Sequence, residues 1–162
     1  MTQPIPTTHT LSSPVDLLKI IQHIELSPDH HLFYLGLNSP DDVANCGTQT
    51  ALDVTRNPLI ALFFACIDKS NNDGEIIIYH IQQNTISHSI DDCSPNTNLV
   101  LTDRGTFIFI NGQQHNAHLL AKDCIHHQPV EIIIEQSAKC SILQELEKLG
   151  ISLTTLYPEM TP

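Results

Sequence analysis

A chain of 162 residues is about one domain, long enough to bury a hydrophobic core without disulfide or metal staples. With 7 Lys and Arg against 18 Asp and Glu, the formal charge is -11, a field that repels phosphate backbones and anionic lipid and so excludes nucleic acid and membrane surfaces as partners. The five cysteines (Cys46, Cys66, Cys93, Cys124, Cys140) are odd in number and contain no Cys-x-x-Cys pair, which argues against a disulfide framework and for small buried thiols in a reducing compartment.

Residues 1–12 are rich in Thr and Pro with little to bury and predict a flexible tail or loosely docked arm, leaving 13–162 as the domain. The tail's first eleven residues carry neither the basic stretch nor the apolar run of a secretory signal, which places the protein in the cytoplasm. Ser13-Pro14-Val15-Asp16 is a helix start, with a capping Ser, Pro at the first position and an acid in the first turn. Val15, Leu18, Ile21 and Leu26, with Leu17, Ile20 and Ile24 beside them, predict an amphipathic helix to about residue 26. Ser27-Pro28-Asp29 stops it, and residues 32–37 predict a strand.

The stretch 46–65 is the least generic of the chain. Asn57 followed by Pro58 and an apolar run is a helix start, because the Asn side chain can cap and Pro at the first position forfeits no needed hydrogen bond. Leu59, Ile60, Leu62, Phe63 and Phe64 leave no polar face before Asp68, so this helix is predicted to be buried on most sides. After a turn at 69–74, residues 75–81 predict a strand whose Ile76-Ile77-Ile78 run has no polar alternation, as in a middle strand covered on both faces. Residues 85–90 predict a short partner strand, 99–101 and 106–110 two more around Asp103-Arg104-Gly105, and 129–135 a last strand. Residues 113–124 predict a weak helix or loop. A final helix opens at Ser137 with Ile142, Leu143, Leu146 and Leu149 in one stripe, and Gly150 stands where a left-handed cap belongs. The fold class is therefore α/β or α+β in a single domain: a mixed sheet of about five or six strands, the Pro58 helix on one face, and the first and last helices closing the edges.

The central stretch resembles the signature of the FRG domain family, in which a Gly-Leu-Pro-Thr-Arg-Leu-Leu-Asp-Trp-Thr run leads into Asn-Pro and an Ala-Leu-x-Phe-Ala helix. Leu52-Asp53, Thr55, Asn57-Pro58 and Ala61-Leu62-Phe63-Phe64-Ala65 match as they stand. Tyr34-Leu35-Gly36 falls where the family carries its aromatic-Arg-Gly triplet, with Leu35 in place of the Arg, and only residues 37–46 separate it from the signature. Asp103-Arg104-Gly105-Thr106-Phe107 is similar to the family's Gln-x-Gly-x-Phe element, and Leu149-Gly150-Ile151 with Leu156-Tyr157-Pro158 is similar to its closing element. The resemblance spans roughly residues 32–158 and identifies a shortened copy. The family's second Arg is also missing, its place taken by Thr50 or Ala51 according to the alignment.

An Arg at such positions can hold phosphate or carboxylate through two parallel bonds, which Leu, Thr and Ala cannot imitate. What remains is Asp53, Thr55 and Arg56, read either as a site or as structure. In the first reading Asp53 is a ligand-orienting or general-base carboxylate with Thr55 as its hydrogen-bonding neighbour. In the second, Asp53 caps a turn and Arg56 pairs with a carboxylate at the helix start. The resemblance adds Tyr34, Gly36 and Arg104 to Asp53 as ligand-binding candidates.

No metal and no cofactor are expected. His30-His31 and Cys124-x-His126-His127 are the only His clusters, and neighbours along a strand point to opposite faces. Core residues kept while both family arginines are lost imply a non-catalytic, degenerate FRG-like domain that binds a protein, plausibly a basic one, as an inhibitor, immunity or regulatory module in bacterial or phage defence. The competing expectation is a small enzyme or nucleotide-binding domain, similar to ADP-ribosyltransferases, with an altered site around Asp53.

Overall fold

A computed structural model describes residues 9–39, 49–68, 71–82, 86–87, 98–102, 105–111 and 130–156. In chain order these form β1 (His9–Leu11), α1 (Pro14–Gln22), β2 (His30–Leu37), β3 (Gln49–Val54), α2 (Pro58–Cys66), β4 (Gly74–Gln82), β5 (Ile86–Ser87), β6 (Asn98–Thr102), β7 (Gly105–Asn111), β8 (Val130–Ile134), a 3-10 turn (Gln136–Ala138), α3 (Lys139–Lys148) and α4 (Leu153–Leu156). The α/β class holds, but the strands divide into two four-stranded mixed sheets, ordered β1-β8-β4-β2 and β3-β7-β6-β5, where the sequence predicts one sheet of five or six strands. The division falls where the chain passes from β3 towards α2. There the ladder to β2 is a single antiparallel bridge between Tyr34 and Thr55, too short to fuse the two sheets into one.

Of the residues 1–12 predicted as a flexible tail, 9–12 are described, and three of them form a strand. His9–Leu11 pairs in parallel with β8, and Leu11 is buried in the core. A three-residue edge strand carries too short a pattern to show in the sequence.

In the first sheet β4 is central, antiparallel to both β2 and β8, and its Ile76, Ile77, Ile78 and Tyr79 are fully buried, as the unbroken apolar run predicts. Strand alternation sends Ile76 and Ile78 to one face, where they join Leu11, Tyr34, Ile132 and Ile134 against Leu17 of α1, Ala61, Leu62 and Phe63 of α2, and Ile142 and Leu146 of α3. Helices α1, α2 and α3 thus share one face of this sheet; α1 and α3 do not close its edges. Phe33, Leu35, Ile77, Tyr79 and Ile81 project to the opposite face and are buried there too.

Helix α1 begins at Pro14 as predicted, but its start is closed by a carboxylate. Asp16 accepts from Ser12 N (3.1 Å), Ser12 Oγ (2.9 Å) and Ser13 N (3.2 Å), and these bonds hold its carboxyl below the usual Asp range. The helix ends at Gln22 instead of residue 26, and the buried stripe runs through Leu17 with Val15, Leu18 and Leu26 exposed. Helix α3 ends as its sequence predicts: Gly150 takes a φ of 84°, with Gly150 N bonded to Glu147 O (3.0 Å) and Ile151 N to Leu146 O (2.9 Å). Leu149, predicted in the buried stripe, lies at this exit and is exposed.

The Lys139 ammonium is buried at the start of α3. It donates to Asn38 O (2.9 Å) just past β2 and to Asp68 O (3.1 Å) just past α2. Asn38 Oδ1 in turn accepts from Asp68 N (2.8 Å), so three segment ends meet around one cation.

Candidate functional site

The run from β3 into α2 is held by backbone before any side chain acts. Tyr34 N donates to Thr55 O (2.8 Å) and Thr55 N to Tyr34 O (2.9 Å), clamping the segment to the middle of β2. Thr55 Oγ1 then accepts from Asn57 N (3.1 Å), and Asn57 Oδ1 accepts from Leu59 N (3.0 Å). Thr and Asn side chains are thereby spent in building a turn and capping a helix, the structural role that short polar side chains perform before helices. Pro58 occupies the first position of α2 as the sequence predicts.

Arg56 lies between these two residues and is exposed. Its partner is not the carboxylate that the structural reading of the sequence expects. Nη2 donates to His31 Nδ1 (2.9 Å), and the guanidinium carbon lies 5.8 Å from the centre of the buried Phe33 ring. Arg carries only donors, so His31 Nδ1 must be the acceptor and holds no proton in this arrangement. His31 and Phe33 are two apart on β2 and share a face, which is why one side chain can meet both. Neither was a candidate from sequence. Strand alternation offered the signal, but selecting Arg56 as partner required knowing that residues 54–56 cross β2 at Tyr34. His30 points the other way and pairs with Asp29 Oδ1 at 2.9 Å.

The remaining candidates scatter. The backbone of Asp53 lies in β3 opposite Phe107, and its side chain is outside the described residues. Arg104, between β6 and β7, is also outside them, as are Cys124, His126 and His127. Tyr34 is buried under α2, and burial raises its hydroxyl above the usual Tyr range, a shift that nearby Arg56 opposes. Gly36 gives its side-chain space to the helix: a Cβ there would lie 1.9 Å from Ala61 O, and one at Gly74 would lie 2.3 Å from Ala65 O. Both glycines are close-approach positions that let the α2 backbone rest on the sheet. Leu35, in the place of the family's Arg, is buried on the far face. The structure therefore brings Thr55 and Arg56 together with Tyr34 through backbone, and adds His31 and Phe33.

Among the described residues no group of three His, Cys, Asp or Glu is placed to hold a metal ion. The two described thiols differ: Cys66 is buried, which pushes it up to about 12, whereas Cys140 is exposed, contrary to the expectation that the cysteines are buried hydrophobes. Among the described residues no helix is long and apolar enough to cross a membrane. No known protein family, curated protein or solved structure matches this chain.

Proposed function

We propose that this chain is a non-catalytic, FRG-like protein-binding module, an inhibitor, immunity or regulatory subunit of a bacterial or phage defence system, working in the cytoplasm. The observation that carries this reading is the fate of the Tyr34-Leu35-Gly36 triplet. Tyr34 is in the core, Leu35 is buried on the opposite face, and Gly36 is filled by the Ala61 carbonyl, so all three residues serve packing. A scaffold kept while its ligand-facing groups are replaced by core residues suits a domain selected for the shape of its outer surface. The charge of -11 favours a basic partner, whose association rate falls as salt rises.

The test is recovery of the tagged protein from native lysate, identification of its companion by mass spectrometry, and reconstitution of the pair from purified components. A stoichiometric complex whose on-rate drops between 50 and 500 mM salt, roughly from one Debye regime to another, supports the reading. Consumption of NAD by the purified chain, abolished in Asp53→Ala, overturns it in favour of an ADP-ribosyltransferase-like enzyme.

A further inference from the structure

The Arg56 guanidinium is held without a carboxylate. With 18 acidic residues for 7 basic ones, a carboxylate partner is easy to supply, yet among the described residues none pairs with Arg56. It is held instead by groups that orient it without neutralising it: an imidazole nitrogen that accepts one of its five N–H bonds, and the Phe33 ring below. Its backbone is equally restrained, since Thr55 on one side is bonded twice to Tyr34 and Asn57 on the other is bonded to Thr55 Oγ1. An exposed cation held in one orientation, with charge unspent and donors still facing solvent, has already met much of the entropic cost of binding.

The neighbouring helix start adds nothing to such binding. Leu59 N is taken by Asn57 Oδ1, and Ile60 N and Ala61 N bond to Asn57 O, so no amide of the first turn points outward for an anion. Recognition must come from the guanidinium fork itself, whose geometry matches two oxygens of one planar or tetrahedral group. We infer that Arg56, positioned by His31 and Phe33, is a receptor for a single oxyanion, a carboxylate or a phosphoryl group, on the outer side of the β2–α2 junction. This inference does not depend on the partner-binding reading: a free metabolite or a group on a protein could present the oxyanion.

The experiment is a titration of the full-length, isotope-labelled chain followed by NMR at the Arg56 side-chain N–H and the His31 ring. Sodium acetate and inorganic phosphate are the two probes, each at constant ionic strength against sodium chloride. Saturable shifts at these two side chains are expected in the parent chain, with the His31 shift lost in Arg56→Gln and at least several-fold weaker in Arg56→Lys. The Lys variant keeps the charge and the fold but lacks the fork, so it serves if the Gln variant fails to fold. Saturation by acetate alone assigns the site to carboxylates, and by phosphate alone to phosphoryl groups. Shifts that grow linearly with concentration, that chloride reproduces, or that persist unchanged in both variants overturn the inference.

Discussion

Glu75 is a carboxyl that its surroundings move into the neutral pH range. It sits on β4 opposite Leu37 and Ile133, only 4% exposed, with Glu131 diagonally across on β8. Burial first, and the Glu131 charge second, push its carboxyl from 4.5 up to about 7. A carboxyl raised on folding favours the folded state fully below its unfolded value, and that contribution is lost as pH rises through the folded value. Stability should therefore fall by about 3 kcal/mol between pH 4.5 and pH 7, at about 1.4 kcal/mol per tenfold change in affinity for the proton. In Glu75→Gln this slope should be absent, so urea unfolding at pH 5 and pH 8 compares the two proteins directly. Parallel pH profiles would show that Glu75 is solvated in the native state.

At the scale of elements, α2 is the piece the rest is built on, and two substitutions measure how it is seated. Phe63→Ala removes a ring that is 4% exposed and packed edge-on to Phe64, and should cost about 3 to 5 kcal/mol. Unchanged thermal unfolding would place the ring at the surface. Gly36→Ala should cost about 3 kcal/mol or more by forcing β2 off the Ala61 carbonyl, at the upper end of overpacking effects because the obstacle is backbone and cannot rotate away. A variant as stable as the parent would mean that the helix rides higher on the sheet. The existence of α2 was legible in Asn57-Pro58 and its apolar run because caps and burial patterns are local. The partner of Arg56 was not legible. His31 is 25 positions away, and only the bridge between Tyr34 and Thr55 brings them together. Helix α1 shows the opposite failure: Val15 and Leu18 fit a stripe as well as Leu17 does, and the choice was made by where β1 and α2 lie.

For the whole molecule, the apolar runs of β4 and β8 announced a buried sheet, while the number of sheets depended on one bridge that no periodicity encodes. Lys139 is a similar long-range feature, since a lysine at a helix start reads as surface until Asn38 and Asp68 are brought to it. Those contacts span 101 and 71 positions of chain, so they can close only after β2, α2 and α3 have found their places. We expect such a bond to form in the final descent to the native state, after the transition state. Lys139→Met, which orphans two carbonyls at a cost of about 3 kcal/mol, should then leave the refolding rate almost unchanged and speed unfolding roughly a hundredfold. Stopped-flow chevrons separate the two limbs, and a slowed refolding limb would instead put the cation in the nucleus. On that expectation Lys139 acts in kinetic terms as a latch, doing little to guide the chain home and much to keep it there.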